Sequence, residues 1–490
     1  MTSRIMILGT ASGAGKSTVA AGIIRALTNR GYSVCPYKSQ NMSLNSHIDI
    51  NGGEMGRAQV LQAECANIEP MAWMNPILLK PLGDTRSQVI FMGKPIKNMT
   101  AKEYEAYKPD LKGILLDDFI KKTSEYDIVV IEGAGSPAEI NLRTNDIVNM
   151  GFAELSDTDA ILVGDIDKGG VFAALYGTVM LLSEKERKRI KGFIINKFRG
   201  DVDILRPGIE MMEKMLNIPC LGIIPYERFR LEEEDGAIEL NKKVKGPIDI
   251  AVIHLPHISN FTDFDALDKE EDVTVRYVDS PEELQSPDLL IIPGTKNTIG
   301  DLIHIKNNGL FKKIQDYASG MEDNRHRIIG ICGGYQMLLD EIRDPLKVEG
   351  DIPMEKGLSI LSGVTEMGET KIQWRTKGTA LFNGQKHLVE GYEIHAGKTE
   401  TKENHFIEKS DAFDGAKSID EKIIGTYFHG IFDEVGFRNE LLNEVRKDKG
   451  MELKVSPDFK ELKIKEMDRL GQLMEDSLDM DMIIKIAGRL

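Results

Sequence analysis

The chemistry in this chain starts with a thiol on a tight turn. Cys332 lies in Ile328-Ile-Gly330-Ile-Cys332-Gly333-Gly334-Tyr335, where an apolar run stops and glycines begin. A cysteine between a buried strand and a helix has the geometry of a nucleophile elbow, with the next N–H, that of Gly333, pointing where an oxyanion would form. A thiol is mostly protonated at neutral pH, so an imidazole partner is required. Two histidines are candidates: His429, which directly follows a strand-like run in Gly425-Thr-Tyr-Phe-His429-Gly430, and His395 in Gly391-Tyr-Glu-Ile-His395. His429 is preferred. Asp433, four residues beyond it, is an acid that could orient the ring. Pro293-Gly294-Thr295, after the run Leu289–Ile292, offers Gly294 as a second oxyanion contributor.

A second constellation lies at the N-terminus, where Gly9-Thr10-Ala-Ser-Gly13-Ala-Gly15-Lys16-Ser17-Thr18 follows an apolar strand and opens a helical pattern. Successive backbone N–H groups from Thr10 to Thr18 can cradle a phosphate. Lys16 reaches the outer phosphates and Ser17 can ligate Mg²⁺. Thr10 occupies the first-glycine position of the strict phosphate-loop pattern. Glu132 closes the run Ile128–Ile131 and would bring a hard oxygen to the same sheet edge. Asp165-Ile-Asp167-Lys168-Gly-Gly and Asn196-Lys197 end two further runs there, so Asp167 and Lys168 could serve metal or an anionic substrate.

These groups need a scaffold that delivers them to common edges. The runs Ile5–Leu8, Ile128–Ile131, Ala160–Val163, Gly192–Ile195 and Leu221–Ile224 are apolar on consecutive residues. That pattern suits parallel strands buried on both faces between helices. Val19, Ile23 and Leu27 place one apolar stripe on the helix after the glycine loop. Strand-like runs restart at Ile248–Ile253 after a charged stretch ending in Gly246-Pro247. The expected organisation is α/β throughout: residues 1–245 as a phosphate-loop domain, 246–445 as a domain around the thiol, and 446–490 as a helical extension. Leu470, Met474, Leu478 and Met482 are expected on one docking helix.

Composition narrows the partners. With 62 Lys+Arg and 78 Asp+Glu, the net charge of −16 disfavours nonspecific binding to nucleic acid or to an anionic membrane. Four dispersed cysteines suggest neither a disulfide framework nor a zinc knuckle, and point to a reducing, cytoplasmic setting. The uncharged stretch Gly169 to Ser183 is shorter than the roughly 20 residues of a membrane helix, and no signal peptide is expected.

The glycine-loop spacing resembles that of dethiobiotin synthetase and related ATP-dependent ligases, which implies a dethiobiotin-synthetase-like domain in which Asn196 contacts adenine. The cysteine elbow with a distant histidine resembles the glutamine amidotransferases, many of which carry a glutamate at the position that Ile431 takes here. Taken together, the phosphate loop, Lys38-Ser-Gln-Asn-Met-Ser-Leu-Asn45, Gly53-Glu-Met-Gly-Arg57-Ala-Gln59, Glu132-Gly-Ala-Gly, Asp165-Ile-Asp-Lys-Gly-Gly, Pro293-Gly-Thr-Lys-Asn297, Cys332, Tyr392-Glu-Ile-His395 and His429 resemble the cobyric acid synthases across nearly the whole chain.

That resemblance implies ATP- and glutamine-dependent amidation of a corrinoid at its b, d, e and g carboxylates, with Mg²⁺ and without a tightly bound prosthetic group. A shielded path for ammonia is expected, and a homo-oligomer is compatible with it. The related cobyrinic acid a,c-diamide synthases usually carry an Asp-rich segment after the second strand; here Gln40 to Asn45 has no carboxylate before Asp49. Glu54 or Asp49 could supply the missing metal ligand. Lys38, Arg57 and Lys168 are the cations to test against an acidic substrate. A partitioning-type ATPase with an inactive amidotransferase module is the non-enzymatic alternative.

Overall fold

Six parallel strands, apolar on consecutive residues, form the first sheet because each is covered on both faces. The computed structural model describes residues 2–82, 85–231, 246–320 and 326–488. The sheet runs in the order Cys220–Pro225, Ile190–Phe198, Asp159–Asp165, Ser3–Gly9, Ile128–Glu132, Val34–Tyr37. One face packs Leu8, Ile131 and Leu162 against Leu115 and Phe119 of the helix Ala101–Thr123. The other packs Ile5, Ile7 and Val130 against Val19, Ile23 and Leu27 of the helix Lys16–Asn29. Val34–Tyr37 was not legible as a strand, because its four residues include a proline.

Two compact units result, and neither is continuous in sequence. One comprises Met1–Ser43, Glu54–Asp235 and Lys463–Leu490; the other comprises Leu44–Gly53 and Gly236–Leu462. The interval 232–245, where the sequence places its boundary, lies outside the described residues. The C-terminal segment supplies part of the first unit's core, since Leu470, Met474 and Leu478 are buried with Val19 and Ile23. The four-residue spacing from Leu470 to Met482 does not belong to one helix. Phe459–Ser477 ends before Leu478, and Asp479 caps a separate helix, Met480–Ile486, by accepting from the Met482 N–H at 2.9 Å.

In the second unit the parallel order is Val273–Val278, Ile248–Ile253, Leu289–Ile292, Arg327–Ile331, Ile423–Thr426, closed by Ala416–Lys417 antiparallel at the edge. A long hairpin, Val364–Phe382 with Gln385–Glu400, forms a further sheet that pairs Tyr392 with His429. Its strands are rich in charged and polar residues, and they gave no apolar run to read. Among the described residues no helix is long and apolar enough to cross a membrane.

Candidate functional site

In the first unit, parallel pairing sets the geometry. The strand Ser3–Gly9 lies between Ile128–Glu132 and Asp159–Asp165, so the glycine loop and Glu132 leave the sheet at the same edge. Gly15 caps the helix Lys16–Asn29 at φ 89°, and a Cβ there would lie 2.2 Å from the Asn196 amide nitrogen. Glycine is required on both counts. Asn196 donates to the Ala14 carbonyl at 3.0 Å and accepts from the Lys197 N–H at 2.9 Å. Both ends of the amide expected to read adenine are thus engaged in shaping the loop. Lys197 Nζ adds a bond to the Gly13 carbonyl at 2.7 Å and pairs with Asp165 at 2.9 Å. The Lys16 ammonium lies back across the loop on the carbonyls of Ala11, at 3.0 Å, and Gly135, at 2.9 Å. Thr10 opens the loop with its N–H on the Val163 carbonyl, and Thr18 is exposed on the first helical turn.

Glu132 is the centre of this site. Its Oε1 accepts from Ser17 Oγ at 2.7 Å and from Lys38 Nζ at 3.0 Å, and its Oε2 accepts from Gln62 Nε2 at 2.5 Å. Burial works against the charged carboxylate. The Lys38 charge and these three hydrogen bonds outweigh it and hold Glu132 below the usual carboxylate range. Lys38, expected at the substrate, is therefore also a partner of the expected metal ligand. Gln62, which no sequence motif had singled out, fixes the other carboxylate oxygen.

Two further acidic residues go elsewhere. Glu54 forms a buried ion pair with Lys80 at 2.7 Å. Asp49 belongs to the other unit, where its Oδ1 closes a turn by accepting from the N–H groups of Asn51 and Gly53. Arg57 opens the buried helix Arg57–Cys65. Asp167 pairs with Arg199 at 3.0 Å, and Lys168 lies beside Gly13. Among the described residues no group of three or more His, Cys, Asp and Glu is arranged to hold a metal. Ser17 Oγ and Glu132 nevertheless supply hard oxygens at one point, which suits a Mg²⁺ that takes most of its ligands from phosphate and water.

In the second unit Cys332 ends the strand Arg327–Ile331 in a strained conformation, φ 51° and ψ −109°, before the helix Gly333–Leu338. The turn tolerates no side chain behind it: a Cβ on Gly334 would lie 1.9 Å from the Ile292 carbonyl oxygen. Cys332 is buried, and its thiol reaches the Ile394 carbonyl at 3.7 Å. Gly294 lies against His429, whose Cε1 would be 3.1 Å from a Cβ there, and Gly333 lies against Thr295. The two glycines expected to form an oxyanion site therefore flank the thiol and its partner.

The imidazole is His429. Its ring is buried beside the Cys332 thiol, while Nδ1 lies 2.7 Å from Asp263 Oδ2. Asp263 Oδ1 also accepts from the Gly430 N–H at 2.9 Å. The carboxylate that orients the ring is Asp263, in place of the expected Asp433. Burial alone would lower the imidazole's affinity for protons. The charge and hydrogen bond of Asp263, with the thiol adding, reverse this and push it up. Asp263 stands 166 residues before His429, in the turn Phe261–Phe264 after the first strand of this sheet. The one sequence signal was an acid in the loop at a strand's C-terminal end.

His395 is placed differently. It stacks on Tyr427 with ring centroids 3.7 Å apart, Nδ1 lies 2.7 Å from the Gly397 carbonyl oxygen, and Nε2 faces Glu393 at 3.5 Å. Burial raises the Glu393 carboxyl, but hydrogen bonds from His395 and Lys409 and the Lys409 charge bring it down to about 2. Asn260 completes the thiol site: its Nδ2 lies 3.4 Å from His429 Nε2.

Comparison with known proteins finds two matching families along the chain. Residues 5–237 match the CobQ/CobB/MinD/ParA nucleotide binding domain, and residues 249–437 match the CobB/CobQ-like glutamine amidotransferase domain. Proteins named cobyric acid synthase from Clostridium botulinum and Clostridium acetobutylicum are each 53% identical to this chain, over 99% of both chains. The cobyric acid synthase of Clostridium tetani is 51% identical over the same share. With that identity carried along the full length, and with both domains present in one chain, the protein is an ATP-dependent amidoligase with a glutamine amidotransferase domain and belongs to the cobyric acid synthase family.

Proposed function

We propose that the chain amidates the b, d, e and g carboxylates of adenosyl-cobyrinic acid a,c-diamide, using ATP for activation and glutamine as nitrogen donor. The observation that carries this reading is the full-length likeness to cobyric acid synthases. The geometry supplies matching chemistry. A carboxylate is a poor acyl donor, because its leaving group would be oxide; transfer of the γ-phosphoryl group makes phosphate the leaving group, which ammonia then displaces. In the first unit the loop N–H groups of Gly13, Gly15 and Thr18 would meet the phosphates, whereas the Thr10 N–H, expected there as well, is taken by the Val163 carbonyl; Lys16 turns from the loop carbonyls to the outer phosphate. Ser17 and Glu132 would hold Mg²⁺, which neutralises phosphate charge when bound with the nucleotide. Lys38, Arg57, Asp167 and Lys168 are the groups assigned to the corrinoid carboxylates and their surroundings.

In the second unit the Cys332 sulfur attacks the glutamine side-chain amide. His429 accepts the thiol proton and returns it to the departing ammonia, and Gly333 and Gly294 donate N–H groups to the oxyanion. Water then cleaves the γ-glutamyl thioester to glutamate and the free thiol. Asp263 keeps the imidazole in place.

Incubation of adenosyl-cobyrinic acid a,c-diamide with ATP, Mg²⁺ and glutamine, followed by mass spectrometry, tests the reading. The expected product carries four amide increments. No increment on this substrate, with two on cobyrinic acid, would transfer the chain to the a,c-diamide reaction.

A further inference from the structure

The segment Leu44–Gly53 is a strap that the first unit's sequence gives to the second unit. Ile48 is buried with Tyr392 and Ile394, Tyr392 Oη donates to the Ser46 carbonyl at 3.0 Å, and Gln373 Nε2 donates to the Gly52 carbonyl at 2.6 Å. The strap meets the thiol site at the loop that carries Asp263. There Asn45 Oδ1 accepts from the Phe261 N–H at 3.2 Å, and Asn260 Oδ1 accepts from the Ser46 N–H at 2.9 Å.

We propose that Asn260 is a positioning residue that selects the tautomer of His429, and that the strap residues Asn45 and Ser46 hold Asn260 for that task. The proposal rests on the reading of Cys332 and His429 as the glutamine-hydrolysing pair. A backbone N–H only donates, so the end of the Asn260 amide facing Ser46 must be its oxygen. The end 3.4 Å from His429 Nε2 is then the NH₂ group, which only donates. On the other side of the ring the Asp263 carboxylate accepts, so Nδ1 carries a proton. Both contacts favour one form: Nδ1 protonated and Nε2 unprotonated.

That form is the one able to take the thiol proton. The carboxylate alone would favour the doubly protonated ring, whose Nε2 has nothing to accept with; a donor aimed at Nε2 is the counterweight. The ionisable groups at the ring are Asp263 at Nδ1, the Cys332 thiol, and the Tyr392 phenol, whose ring stacks on the imidazole at 5.1 Å. Asn260 itself sits at φ 55°, a left-handed conformation that asparagine tolerates better than most residues, and the strap's two hydrogen bonds hold it there.

The test uses the full-length chain, with glutamate release as the rate and the ¹⁵N shifts of the His429 imidazole as the spectroscopic readout. Asn260→Asp keeps the shape and the bond from Ser46 but turns the donor into an acceptor. Its kcat should fall by about 10²-fold or more with KM for glutamine changed less than about threefold, and the His429 ring should keep its second proton to higher pH than in the parent. Asn45→Ala should lose about fivefold in kcat, and Asn45→Asp, which keeps the acceptor for Phe261, should restore it. Melting midpoints and ammonium-supported amidation show whether each variant is folded; should Asn260→Asp not fold, the Asn45 pair decides. An Asn260→Asp enzyme within about twofold of the parent, or one whose His429 ring titrates at the same pH as the parent's, overturns the proposal. Glutamate release that survives Cys332→Ala would instead overturn the reading beneath it.

Discussion

The two sites are built in opposite ways. In the phosphate site most groups come from one stretch, Gly9 to Thr18, and much of the work falls to backbone N–H groups that any residue provides. In the thiol site three side chains, Asp263, Cys332 and His429, converge from separate segments, and the strap from a fourth sets a residue beside them. A site of local origin announces itself by spacing. A site assembled over long range is announced piecemeal, here by Cys332 on its strained turn and by His429 after a strand-like run, and not by Asp263.

The electrostatics differ in the same sense. Glu132 is an acid held low by a buried lysine, whereas His429 is a base pushed up by a buried acid.

The largest expected effect tests whether the sites serve one reaction. Lys16→Ala should stop amidation from glutamine and from ammonium alike; ammonium-dependent turnover that survives would break the assignment of the first site. Cys332→Ala should abolish glutamine-supported amidation and leave the ammonium-supported rate within about twofold, and loss of both would mark the cysteine as structural. Asp263→Asn should lower kcat for glutamate release by about 10²- to 10⁴-fold, because the imidazole loses the partner that fixes its orientation. In the same assay His395→Ala should cost less than about tenfold, and an equal loss would erase the distinction between the two histidines.

The smallest effect is on stability. Glu132 is lowered, so its contribution is present above its ordinary value of 4.5 and lost as the pH falls through the lowered one; Glu132→Gln should weaken that acid loss. His429 is raised, so its contribution is complete below its ordinary value of 6.5 and lost as the pH rises through the raised one; Asp263→Asn should flatten that alkaline loss. Denaturant midpoints measured across pH read both slopes, and slopes of the same sign would contradict the contrast.

What the sequence determined by itself was everything with a local cause. Consecutive apolar residues specify strands covered on both faces, glycines at strand ends specify loops that approach phosphate or turn a thiol outward, and the helix stripe of Val19, Ile23 and Leu27 follows from its period. The polar hairpin Val364–Glu400 and the proline-containing strand Val34–Tyr37 lacked such patterns and were decided by their neighbours in the sheets. Tertiary structure alone brought Asp263 to His429, Gln62 to Glu132, Glu54 to Lys80, and residues 44–53 to the thiol-bearing unit. The physical reason is that side-chain hydrogen bonds between segments 26, 70 and 166 residues apart leave no period or spacing in the chain; each is fixed only when both segments pack.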